Sequence, residues 1–225
     1  MSILTSTSQS TDNDYEKLFN VALVLGLTVF GSSCKKKDVD PNVGFSAAVQ
    51  KVLPQANIDA LRKLGMVINE GTVPPNLTGI FLESPTLLLA TYPTDTQKKG
   101  DKVVDYLYKF FGPSADNTSI KVSYKAGNGD IATGLGSVVS GNGNKFIIFS
   151  ELTEQSGVVY INVISGELTS TGIKGWQDSY VKKTELEKNS VFENGDGLAS
   201  TRSSFRIAAP FENGVQENDS KGNRK

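Results

Sequence analysis

Ile120-Lys-Val-Ser-Tyr-Lys125 runs through Asn128-Gly129 into Ile131–Ser140, which runs through Asn142-Gly143 into Lys145-Phe-Ile-Ile-Phe-Ser-Glu-Leu152. This succession decides the fold. Ile120, Val122 and Tyr124 alternate with Lys121, Ser123 and Lys125, the period-2 pattern of a strand with one buried face. Asn-Gly between alternating runs is the strongest short-range hairpin signal, because both turn residues must accept positive φ. Two such turns in succession predict a three-strand antiparallel meander. The Ile120, Val122 and Tyr124 face is expected to point inward, since burying the lysines unpaired would cost several kcal/mol.

Strands extend in both directions from this meander. Upstream lie Gly79–Ser84 and Thr86–Tyr92, separated by Pro85, which signals a strand break or edge. Val103–Phe111 also fits a helix, but its aromatic and β-branched content favours a strand. Downstream, Val158–Leu168, Trp176–Lys183 and Arg202–Ala209 complete about nine short strands from Thr78 to Ala209. With no helices between strands, a parallel α/β sheet is disfavoured. The expected fold is mainly β, an antiparallel, lipocalin-like barrel or a barrel-like sandwich. Consecutive hairpins favour the up-and-down order. One or two short N-terminal helices precede it: Phe45–Leu53, and Asn57–Leu64 with Asn57 as cap and Gly65 as terminator.

The chain has 225 residues and a single cysteine, Cys34. It ends an apolar run, Val21–Phe30, followed by Gly31-Ser-Ser-Cys34 and then Lys35-Lys-Lys-Asp38. Small residues before a lone cysteine are the layout of a bacterial lipoprotein signal, with acylation at Cys34. The apolar run is too short to span a bilayer, which takes about 20 residues, and it suits a signal core. Asp12, Asp14 and Glu16 against Lys17 depart from the positive segment that usually precedes such a core. The expected organisation is a signal peptide over 1–33, a lipidated tether over 34–44, one β-rich domain over 45–211 and a disordered tail over 212–225.

Charge and composition exclude several functions. Taking Lys17 from 23 Lys and Arg, and Asp12, Asp14 and Glu16 from 24 Asp and Glu, leaves 22 against 21. No basic field attracts nucleic acid. The chain has no histidine, so Ser-His-Asp and Cys-His pairs and His-ligated zinc are impossible. No cofactor is expected, and the enzyme reading is disfavoured without being excluded. Asp38-Val-Asp40-Pro-Asn42-Val-Gly44 imitates the start of a calcium loop, but Val49 sits where its glutamate belongs, and no metal site is expected. Glu83, Asp105 and Glu151 fall in strands and are candidates for an acid pair in a carbohydrate hydrolase. Tyr106, Tyr108, Tyr124 and Trp176 are the candidates to line a pocket for an apolar ligand or a glycan, with Tyr92 and Tyr160 behind them.

Ser33-Cys34-Lys35-Lys36-Lys37-Asp38, Pro74–Pro85, Ser140–Phe146 and Val163–Thr169 together resemble a group of uncharacterised lipoproteins of Bacteroidota. The resemblance covers most of the chain after Cys34, and its motifs are structural. It implies an outer-membrane lipoprotein held by the acyl anchor at Cys34 and exposed at the surface, and it carries over no functional residue except Cys34. The missing histidine and the aromatic-rich strands lead to the expectation of a non-catalytic binding or scaffold protein. The alternative is an envelope hydrolase acting on carbohydrate through paired carboxylates.

Overall fold

The computed structural model describes residues 45–205. The segments expected to be signal and tether, with Cys34 and the Asp38–Gly44 stretch, lie outside the described residues, as do positions 206–209 of the expected last strand and the expected tail. The fold is mainly β, with a closed eight-stranded antiparallel barrel and two short helices. The helices are α1 (Ala47–Val52) and α2 (Gln55–Lys63). The strands are β1 (Thr72–Val73), β2 (Gly79–Glu83), β3 (Thr86–Ala90), β4 (Tyr106–Phe111), β5 (Ser119–Ala126) and β6 (Ile131–Asn142). They continue with β7 (Lys145–Glu154), β8 (Val159–Leu168), β9 (Gly172–Lys182), β10 (Val191–Asn194) and β11 (Leu198–Thr201).

From β4 to β9 each strand pairs with the next, as the paired turns predict. Gly129 (φ 97°) and Gly143 (φ 62°) occupy the left-handed conformations these turns require. Asn142 already pairs with Lys145, so the second loop consists of Gly143 and Asn144. Closure is made by β11, which pairs with β9 on one side and with β2 on the other, Phe81 opposite Thr201. Both neighbours of this seam are broken strands. The Pro85 break separates β2 from β3, and the 195–197 break separates β10 from β11. β3 and β10 pair with each other beyond the ring.

Two expectations need correcting. Residues 202–205 form no strand, and the final ladder lies earlier, at Leu198–Thr201. Its four residues are too short to show a period. The second helix starts at Gln55 rather than after Asn57, because Pro54, with φ −57°, supplies the cap geometry. Asn57 instead sits within the helix, its Nδ2 donating to the Leu186 carbonyl. The helix ends as expected. Gly65 is left-handed (φ 92°), and the bonds Met66 N–H to Leu61 O and Gly65 N–H to Arg62 O close a Schellman turn.

Burial divides into two clusters. The first draws on all eight ring strands and fills the lumen: Phe81, Tyr108, Phe110, Ile120, Val122, Tyr124, Val139, Phe146, Ile148, Ile164, Trp176 and Ala199 among others. Ile120, Val122 and Tyr124 therefore point inward, while Lys121 is exposed. The second cluster lies outside the ring. There Val49, Leu53, Ile58 and Leu61 of the helical segment cover Ile147, Phe149, Ile161 and Val163. β7 and β8 are thus buried on both faces, which explains their continuous apolar runs.

Candidate functional site

The most unusual chemistry in the described residues is inside the barrel. β2 turns Phe81 inward, and the alternation carries Glu83 to the same side. β9 likewise points Trp176, Asp178 and Tyr180 inward, and β4 points Tyr106, Tyr108 and Phe110. Glu83 is 0% exposed and Asp178 2% exposed, and the two carboxyls lie near enough for the charge of one to bear on the other. Tyr108 donates its hydroxyl to Asp178 Oδ2 at 3.0 Å, and Asn162 Nδ2 reaches the same oxygen at 3.5 Å and the Ser179 carbonyl at 3.1 Å. Asp178 Oδ1, Asn162 Oδ1 and both Glu83 oxygens have no partner. Trp176 Nε1 lies near enough to Glu83 to favour its charged form slightly, yet it completes no hydrogen bond of good geometry.

Electrostatics follow from burial. Removal from water pushes the Asp178 carboxyl up to about 7, partly offset by the donors Tyr108 and Asn162. Glu83 is raised well above the usual carboxylate range, first by burial and then by the negative charges of Asp178 and Asp105. Burial, then Asp178, also raises the Tyr108 hydroxyl. No Lys or Arg makes an ion pair with either carboxyl among the described residues.

Above this pair the barrel mouth is closed by tyrosines. The Tyr124 and Tyr180 hydroxyls contact one another, and both donate to Glu154 Oε1 at 2.8 Å. Tyr160 stacks on Tyr180 with ring centroids 4.2 Å apart. The four leading aromatic candidates converge: Tyr106 lies 5.9 Å from Tyr108 and 5.4 Å from Tyr124, and Tyr108 lies 5.0 Å from Trp176. They meet as packed side chains. Tyr92 lies just past β3, outside this cluster.

The three candidate acids do not converge. Glu83 is in the lumen, and Asp105 is beside it but engaged in the Pro85 break. Its Oδ1 accepts the Thr86 N–H at 3.1 Å and its Oδ2 the Ser84 hydroxyl at 2.8 Å. Glu151 projects from the outer face of β7 and pairs with Lys183 at 2.5 Å. Glu83's true partner is Asp178, which sequence reasoning missed. The signal available was an acid at the second position after Trp176, on the same strand face. An open groove of about 680 Å³ lies on the outer surface between α1 and β6, lined by Lys51, Val52, Thr133, Gly134, Glu151 and Thr153. It contains no convergent set of free polar groups, Glu151 being paired.

No family model matches this chain, and no curated protein or solved structure matches it either.

Proposed function

We propose that this chain is a lipid-anchored protein of the bacterial envelope, attached to the outer membrane through acylated Cys34, and that its barrel serves as a non-catalytic scaffold. The observation that carries the scaffold reading is the filled lumen. Tyr108, Phe110, Tyr124 and Trp176 are each at most 1% exposed, and a small barrel either packs with side chains or holds one ligand. Any glycan or protein partner then meets the outer surface. Anchoring rests on the apolar run that ends at the chain's one cysteine. Multiple acyl chains at that residue hold a protein firmly, at about 0.8 kcal/mol per buried CH₂.

The carbohydrate-hydrolase reading has one feature in its favour, the acid pair Glu83–Asp178. Against it stands burial, since a hydrolase carboxylate must reach substrate and water.

Anchoring is tested by expressing the full chain in a bacterial host with labelled palmitate. The expected result is label and detergent partitioning, both abolished by Cys34→Ala. Label that survives the substitution overturns the anchor. The scaffold arm is tested with an apolar fluorescent probe: no saturable binding to the folded protein is expected, and stoichiometric binding overturns the filled lumen.

A further inference from the structure

We propose that Glu83 and Asp178 share a single proton inside the closed barrel, and that loss of this proton in alkaline solution loosens the seam where β11 meets β2 and β9. The inference does not depend on the anchor or on the scaffold reading.

It starts from geometry. Two carboxyl groups lie close enough to act on one another among the packed side chains of the lumen, and both are sealed from solvent. Two adjacent charges in such a place are strongly unfavourable, so one carboxyl stays neutral by keeping its proton. The groups around the pair supply no counter-charge. β4 contributes the hydroxyls of Tyr106 and Tyr108, β8 the carboxamide of Asn162, and β9 the indole N–H of Trp176. The segment before β4 contributes a further negative charge, Asp105. Lys102 lies 3.7 Å from Asp105, but its side chain is 63% exposed and acts from outside. Glu154 and Tyr180 belong to the mouth and satisfy each other.

Donor placement says which carboxyl holds the proton. Asp178 receives the Tyr108 hydroxyl and the Asn162 amide, both of which favour an anion. Glu83 has neither, and two negative neighbours bear on it. Glu83 is thus the partner that keeps its proton to higher pH, and Asp178, pushed up to about 7, is the first to become an anion. A divalent cation would also neutralise the pair, and four orphaned oxygens would be its ligands. The Trp176 N–H beside Glu83 argues for the proton, because a donor repels a cation.

Position explains the consequence. Glu83 is the last residue of β2, next to Leu82, which pairs with Ser200 of β11, and Asp178 lies within the β9–β10 ladder opposite Phe192, beyond the residues 172–174 that β9 pairs with β11. This seam has the shortest ladders of the ring: two residues of β11 on β2 and three on β9. A second buried charge acts on the part of the barrel held by the fewest backbone hydrogen bonds.

The sign follows from linkage. The unfolded chain releases carboxyl protons near pH 4, whereas the folded pair retains its own to higher pH. The pair's contribution to stability is full below about pH 4 and is lost as pH rises through the folded values. In that window each retained proton changes the folded-to-unfolded ratio roughly tenfold per pH unit. Asp95, Asp116 and Glu185, whose carboxyls are lowered by hydrogen bonds, act in the opposite direction on acidification and fall outside this window.

The test is urea denaturation of the full chain between pH 5 and 9 in the presence of EDTA, followed through Trp176, the only tryptophan. The folding equilibrium should fall at least tenfold across the range. Glu83→Gln should flatten the dependence, and Asp178→Asn should do the same should the first variant fail to fold. A flat wild-type curve overturns the proposal, as does a slope unchanged in whichever variant folds. Calcium or magnesium that restores alkaline stability in the wild type but not in the variant also overturns it, since the pair would then hold a metal.

Discussion

The two faces of the β7–β9 sheet are both buried, yet they are built differently. The outer face is apolar where Ile147, Phe149, Ile161 and Val163 are closed off by α1 and α2, with the small buried hydroxyls Ser165 and Ser179 beside them. The inner face combines Phe146, Ile148, Ile164 and Trp176 with Ser150, Asn162 and Asp178. Ser150 gives its hydroxyl to Ser137 at 2.8 Å, and Asn162 gives its amide to Asp178 and to the Ser179 carbonyl. The helical side is held chiefly by burial, with directional bonds at its margin from Asn57 Nδ2 to the Leu186 carbonyl and from Asn69 Nδ2 to Ser165 Oγ. The lumen adds directional bonds and, with them, a sensitivity to protonation that the helical side lacks.

That contrast is broken most directly by moving an acid across the sheet. Ile147→Glu places a lone carboxylate among the helix contacts and should destabilise by about 3–5 kcal/mol, the penalty of an uncompensated buried charge. A loss under 1 kcal/mol in a urea titration would mean that the helices are loosely seated. Packing itself should be equivalent on the two sides. Trp176→Ala within the lumen and Phe149→Ala beneath Phe45 should each cost about 3–5 kcal/mol, read from circular-dichroism melts. Trp176→Ala much below Phe149→Ala would indicate a lumen less tightly filled than the outer core.

Removing the acid from the lumen has the opposite sign. Glu83→Leu at pH 8 should leave stability unchanged or raise it by up to about 4 kcal/mol, because replacing buried ionic groups with apolar ones is often neutral or favourable. Marked destabilisation would show that Glu83 makes bonds essential to the fold. Tyr124→Phe removes one of the two hydroxyls held by Glu154 and should cost about 1 kcal/mol, with the pH dependence of the melt unchanged. Smallest of all, Lys183→Ala breaks a pair whose side chains are 48% and 43% exposed. It should cost under about 1 kcal/mol and less still in high salt.

Much of the barrel was legible because its strongest signals are local. Lys121, Ser123 and Lys125 interleave with Ile120, Val122 and Tyr124, and that alternation needs only the chain's own pleat. β7 lacked such a signal. Phe146-Ile-Ile-Phe149 has no alternation, because the helices cover the face that solvent would otherwise mark as polar. In the candidate site, Glu83 and the four aromatics were visible as residue types in strands. Asp178 was not, since Gln177-Asp178-Ser179 reads as polar surface until β9 is curled against β2 and β4.

By itself, then, the amino-acid sequence determined a mainly antiparallel chain of short strands, one or two short helices ahead of it, and the inward face of β5. Each follows from backbone propensity and turn chemistry acting over a few residues. Tertiary structure alone decided that β11 closes on β2, that α1 and α2 cover β7 and β8, and that Glu83 meets Asp178. These are contacts between residues distant along the chain, and no local period encodes them. They form only when closing the ring buries enough apolar surface to offset the entropy of bringing its ends together.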